Sequence, residues 1–232
     1  MTALEVVRSG MRPTLDESFA LGLHECYARH GLPDAVPVAF DEHALVRLVV
    51  VRDDNGVLLG GGRVHARHAR LGFPAETLVR QFPDARARVR DFPCEDTVEI
   101  TALWTTASSG AVGIARLVAQ ACLAAGIAMG KRYAFTVSHD RFSGVLAAIG
   151  MMALPDLAPL PLPTPAYRTR LFATELGDCK LATRCDREII AAIASAVVGG
   201  TDRMLLNELT ALEQGRPSWT IRRTTSRLRQ VA

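Results

Sequence analysis

The chain has 232 residues, 49% of them hydrophobic and 22% charged, which is ample for one buried core and too apolar for a disordered chain. Its 27 basic and 24 acidic side chains leave a net charge of +3, short of the cationic surplus of a dedicated nucleic-acid binder. Five cysteines, Cys26, Cys94, Cys122, Cys179 and Cys185, have neither zinc-like nor disulfide-like spacing, and no basic n-region with an apolar run opens the chain; both points suggest a cytoplasmic protein with reduced thiols.

Thr14 stands as the cap of a helix reaching about His30, with Leu15, Phe19, Leu23, Cys26 and Tyr27 at helical spacing and Gly31 and Pro33 ending it. Residues 44–52 and 57–67 predict a hairpin around Asp53-Asp54-Asn55-Gly56, because Asn-Gly accepts the positive φ of a tight turn. Residues 68–96 are rich in Arg and Pro and read as irregular, with a short helix over 74–81. A strand follows over 97–105, then a small-residue turn over 106–110. The stretch 111–129 has Arg116 and Gln120 as its only polar side chains. Nine of its nineteen residues are Ala or Gly, which predicts a buried helix rather than a membrane span. Residues 132–138 predict another strand, and Asp140 stands as the cap of a helix ending at Gly150. Five prolines within 154–165 mark a connector, and 167–174 a last strand. Two helices, 186–198 and 202–214, and a tail with Arg222, Arg223, Arg227 and Arg229 complete the chain. This order predicts a mixed α/β fold with a central sheet.

The strand, small-residue loop and helix start around 97–115 could hold a phosphate: free backbone N–H groups and the helix dipole meet there, and Ser108, Ser109, Gly110, Ala111 and Gly113 let an anion approach. A satisfied strand-to-helix turn explains the same residues. Glu99 is either a base facing a cleft or the partner of Arg63 on an adjacent strand, and the two roles are compatible. The six histidines form no metal-spaced pair on one helix face. Arg67, Arg70, Arg80, Arg86, Arg88 and Arg90 form either a solvated surface or a patch for an acidic partner or for phosphate groups. Single-stranded nucleic acid is disfavoured by the lack of interleaved aromatics.

Several short stretches resemble the GNAT superfamily of acyltransferases, most closely its acyl-homoserine-lactone synthases and N-acyl amino acid synthases. Phe40-Asp41 followed by His43-Ala44-Leu45-Val46 resembles their Phe-Asp and Tyr-Leu-Val stretch. Gly60-Gly61-Gly62-Arg63-Val64 resembles their Gly-x-x-Arg-Leu strand, and Val98-Glu99-Ile100-Thr101 their Glu followed by Ser-Arg. Thr136-Val137-Ser138 is similar to their Val-Thr strand end before the following Gly, here Gly150. The chain departs from the pattern at Gly110 (a loop Gln or Arg), Leu146 (a Tyr acid in acetyltransferases), Ala102 (the Arg of Glu-Ser-Arg) and Val38 (an acidic residue).

The resemblance implies a GNAT-like mixed sheet with splayed middle strands over residues 1–175, with 176–232 as a C-terminal helical extension carrying the basic tail. It implies an N-acyltransferase, autoinducer-synthase-like, that takes an acyl group from an acyl-carrier-protein or acyl-CoA thioester to a small amine. The alternatives are an acetyl-CoA-dependent N-acetyltransferase and a catalytically silent binding or assembly module. Glu99 and Ser138 would be catalytic. Leu103, Thr105, Ser109, Gly110, Ala111, Gly113 and Ala115 would hold the pantetheine and its phosphates, with an N–H near Leu103 as oxyanion donor, and Asp41 and Arg63 would contact the acceptor. No tightly bound cofactor, metal, nucleic acid or membrane span is expected, and a homo-oligomer is compatible. The charged residues replaced at Val38 and Ala102 count against an S-adenosylmethionine acceptor.

Overall fold

A computed structural model describes residues 2–32, 45–107, 111–177 and 182–205. Asp41, Ser109, Gly110, Cys179 and the basic tail lie outside the described residues. Strands β1 (Ala3–Arg8), β2 (Val46–Arg52), β3 (Leu58–Ala66), β4 (Thr97–Thr105), β5 (Tyr133–His139), β6 (Met152–Ala153), β7 (Thr169–Glu175) and β8 (Arg203–Leu205) form one sheet. Their order is β6-β7-β5-β4-β3-β2-β1-β8. The helices are α1 (Pro13–Arg29), α2 (Pro74–Leu78), α3 (Pro83–Asp91), α4 (Ala111–Ala128), α5 (Ser143–Ala148) and α6 (Arg184–Val198).

The β2–β3 hairpin forms where the sequence predicts it, with Gly56 at φ +84° in the turn. One face of the sheet is covered by α4, backed by α6. The apolar helix therefore buries Val118, Ala121, Cys122, Leu123 and Ala125 against Val49, Val64, Val98 and Ile100. No helix among the described residues is long and apolar enough to cross a membrane. The glycine run of β3 is a matter of space: a Cβ on Gly62 would lie 2.8 Å from Cys122 Sγ, and one on Gly61 would lie 2.7 Å from the Phe19 ring. Helices can thus press on both faces of this strand.

The opposite face is covered in two blocks. Helix α1 buries Leu15, Phe19 and Leu23 against Leu48, Val50 and Trp104. Phe19 and Trp104 meet edge-on at 5.9 Å, worth about 1 kcal/mol beyond their burial. Beyond β4, Phe73, Ala75, Val79 and Val89 from α2, α3 and their flanks pack on Phe135 and Leu171 together with Leu162 of the Pro-rich connector. A gap remains between the two blocks.

Several local expectations are corrected. Helix α1 starts at Pro13 with Arg12 at its N-cap, so Thr14 lies inside the first turn; proline at the first helical position needs no N–H partner. Asp140 does not cap a long helix. His139 Nδ1 accepts from the Arg141 N–H at 2.9 Å, while Asp140 pairs with Arg170 at 2.6 Å. The short helix expected over 74–81 forms as α2, ending at Leu78, and a second helix, α3, stands in the stretch read as irregular; each has proline in its first turn. Residues 203–205 are strand β8 on the edge of β1, where a helix was expected from 202. Helix α6 packs on α4 through Asp186, whose carboxylate accepts from Arg116 at 2.8 and 2.7 Å and from Gln120 at 2.7 Å.

Candidate active site

Strand β4 is the origin of the site. It pairs in parallel with β5 over three positions only, Thr97 with Tyr133, Val98 with Ala134 and Glu99 with Phe135. Both strands then continue, β4 to Thr105 and β5 to His139, without pairing to each other. The separation begins directly after Glu99. On its other edge β4 carries a bulge. Gly61 pairs with Trp104 and Arg63 with Thr101, so Ala102 and Leu103 together face Gly62. Ala102 takes up the extra residue at φ 53°, a left-handed conformation rare for a residue with a side chain. The bulge also resets the strand's alternation: Thr101 and Ala102 line one face, while Leu103 packs against the α4 core.

The gap between the two packed blocks opens at this separation as a cavity of about 460 Å³, within the size range of small-molecule sites. Glu99, Thr101, Ala102 and Leu103 line it from β4, and Thr136, Val137, Ser138 and His139 from β5. Tyr27 of α1 and His30 at its C-cap line it as well, as do Ala75 and Leu78 of α2 and Pro163 of the connector. The lining is mostly apolar. Thr101 Oγ1 is buried there without a hydrogen-bond partner among the described residues.

Glu99 is 2% exposed, and its Oε2 accepts from the Ala75 N–H at 2.9 Å. Burial pushes its carboxyl up to about 8; the Ala75 N–H opposes this, and the Glu76 charge adds to it. The carboxyl is therefore poised to exchange a proton near neutrality, as a general base must. Across the ladder stands His65, fully buried and pushed down to about 3 by burial and by the Arg63 charge, so it is neutral.

The expected Glu99–Arg63 ion pair does not form. Arg63 stands opposite Thr101, and its guanidinium lies over the Phe19 ring at 4.8 Å from the centroid. It is absent from the cavity lining, and burial lowers its pKa. On the α4 side of the separation, Leu103, Thr105 and Ala115 line a small crevice with Phe142 and Leu146. Thr105 O accepts from Arg29 at 3.0 Å. A Cβ on Gly113 would meet no atom within 4 Å, so the first turns of α4 are open there. Glu99, Ser138 and Leu103 thus share one cavity, Leu103, Thr105 and Ala115 share the crevice behind it, and Arg63 belongs to neither.

The contribution of Ala75 was not foreseen. The available signal was Phe73-Pro74-Ala75-Glu76, where proline at the first helical position precedes a glutamate that reaches back to the Phe73 N–H at 3.0 Å. Three arginines of the patch are engaged within the chain: Arg67 and Arg90 approach Glu76 at 3.3 and 3.4 Å, and Arg88 meets Asp91 and Asp156. Among the described residues no cluster of His, Cys, Asp and Glu is arranged to hold a metal ion.

No family model matches the chain, and no curated protein matches it by sequence. Solved structures do match. One is FeeM, an N-acyl amino acid synthase from uncultured soil microbes, at TM-score 0.59 and 11% identity over 81% of this chain and 97% of that one. A second is BjaI, a CoA-dependent acyl-homoserine lactone synthase in complex with SAM and isopentyl-CoA, at 0.58 and 10% over 84% and 90%. A third is the AHL synthase LasI, at 0.55 and 12% over 78% and 93%. The chain has the fold of these synthases, the branch whose motifs it resembles.

Proposed function

We propose that the protein is an N-acyltransferase that moves an acyl group from a pantetheine thioester, on coenzyme A or a carrier protein, to a small amine. The observation that carries this reading is the separation of β4 and β5 immediately after a buried, proton-exchanging Glu99, opening onto an apolar cavity. Unpaired strand edges offer the backbone groups along which a pantetheine arm can lie as an added strand. The fold shared with FeeM, BjaI and LasI supports the same class.

In this reading the thioester carbonyl lies near Leu103, with the bulge at Ala102 turning backbone N–H groups toward it. The amine occupies the cavity beside Glu99, which takes its proton directly or through one water as nitrogen attacks the carbonyl carbon. The tetrahedral intermediate collapses with loss of the pantetheine thiolate, which takes up a proton. Ser138 touches the thioester or acyl chain. Gly113 and the start of α4, with Ser109, Gly110 and Ala111, receive the donor phosphate. The cavity is larger than an acetyl group requires, which favours longer acyl groups or a bulky acceptor.

The test is thiol release from acetyl-CoA, long-chain acyl-CoA and acyl-carrier protein, each with a pool of amines. Amine-dependent release from at least one donor is expected, and the donor that works separates coenzyme A from carrier protein. Release from none of them would end the acyltransferase reading.

A further inference from the structure

Helix α2 does more than wall the cavity. The chain enters it through a tight loop in which His68 and Gly72 exchange backbone hydrogen bonds of 3.1 and 3.0 Å, while His68 Nδ1 accepts from the Arg70 and Leu71 N–H groups at 3.1 and 2.9 Å. Gly72 follows at φ +74°, and a Cβ there would lie 2.1 Å from Glu76 Oε1. Phe73 is buried edge-on against Phe135 at 5.0 Å, next to the Glu99 pairing position. The Glu76 carboxylate then folds back to accept from the Phe73 N–H and is approached by Arg67 from the end of β3 and Arg90 from α3. One residue away, the Ala75 N–H points at Glu99.

We propose that Glu76 is the positioning residue of the Glu99 carboxyl: it fixes the first turn of α2 so that the Ala75 N–H holds Glu99, and with Arg67 and Arg90 it sets the local charge that Glu99 meets. As a mechanistic role this rests on Glu99 being the base; as a statement about Glu99 itself it does not. Glu76 is the carboxylate whose charge reaches Glu99 and opposes its ionisation, and the two arginines lie against that carboxylate. The other titratable groups around Glu99 do not substitute for it. His65 on β3 is neutral, Arg63 lies over Phe19, and Tyr27 on α1 is pushed up to about 12 by burial and so keeps its proton. Cys26, His30, His139 and Arg141 line the same cavity from α1 and its C-cap, from β5 and from the turn after it.

Opposite signs make the test sharp. Glu76→Gln keeps an oxygen to cap Phe73 but removes the charge, whereas Arg67→Met keeps the cap and exposes Glu99 to more of that charge. In ¹³C NMR titrations of Glu-labelled protein without substrate, with the Glu99 signal assigned by its loss in Glu99→Gln, Glu76→Gln should lower the Glu99 midpoint by roughly 0.5–1 pH unit. That is about three- to tenfold more carboxylate at a fixed pH below the midpoint. Arg67→Met should raise it. An unmoved midpoint in Glu76→Gln, or a shift of the same sign in both variants, overturns the proposal; should Glu76→Gln not fold, a lowered or unmoved midpoint in Arg67→Met does so alone. Loss of the base role, seen as full turnover in Glu99→Gln, would leave these midpoints where they are. If both readings hold, the pH inflection of kcat moves with the midpoint.

Discussion

Glu99 illustrates how one buried carboxyl can couple activity and stability to pH in opposite directions. As the proposed base it would work only when ionised, so kcat should rise with pH and level off above about 8, the value to which burial pushes the group. Glu99→Gln should lose that inflection and lower kcat by about 10²–10⁴-fold while changing KM little, as steady-state kinetics from pH 6 to 9 would show. Stability runs the other way. A folded value of about 8 against an ordinary 4.5 means that the folded protein holds the extra proton between those limits, so stability falls as pH rises through that window. Relative to Glu99→Gln, the wild type should therefore melt several degrees lower at pH 8 than the same comparison gives at pH 5. A difference in melting temperature that stays constant across this range would show that Glu99 is not desolvated in the folded protein.

Among the elements, those carrying a strong period were legible from sequence and those depending on tertiary placement were not. Strand β4 was read with its full span because Val98, Ile100, Thr101 and Leu103 stand in a run free of turn residues, and this put Glu99, Leu103 and the cleft in view. Strand β1 was missed because it is covered on both faces, with Ala3, Leu4, Val6 and Val7 all buried, and so shows no alternation. Helix α2 was expected from Pro74 onward, but its part in the site comes from a backbone N–H that no side-chain pattern announces. The loop before it is correspondingly sensitive. Gly72→Ala adds a Cβ in the left-handed region and against Glu76, so urea unfolding should show a loss of about 1–3 kcal/mol. If Gly72→Ala unfolds at the wild-type midpoint, the α2 entry is less constrained than its contacts require.

At the scale of the whole molecule, the sheet is a support whose two central strands part where the chemistry is proposed. Its β4–β5 junction separates between two packed blocks, and α4 with α6 braces the other face. Asp186 is the polar tie in that brace, fully buried while accepting from Arg116, Gln120 and Thr183. Asp186→Ala leaves those donors with no acceptor there and should lower unfolding stability by about 1–3 kcal/mol in denaturant titrations, without touching the cavity lining. The resemblance read from scattered motifs foresaw this architecture, but it did not foresee that Arg63 would stack on Phe19 instead of pairing with Glu99. The ladder sets Arg63 opposite Thr101 and gives Glu99 His65 as its neighbour, and the Phe19 ring of α1 takes the guanidinium, a placement that no local pattern announces. The most direct measurement is a crystal structure with a non-hydrolysable S-acyl pantetheine analogue. A pantetheine arm between β4 and β5 beside Leu103, with its carbonyl analogue facing the Glu99 cavity, is the expected result; an analogue bound elsewhere, with the separation between the strands empty, would contradict the proposed acyl transfer.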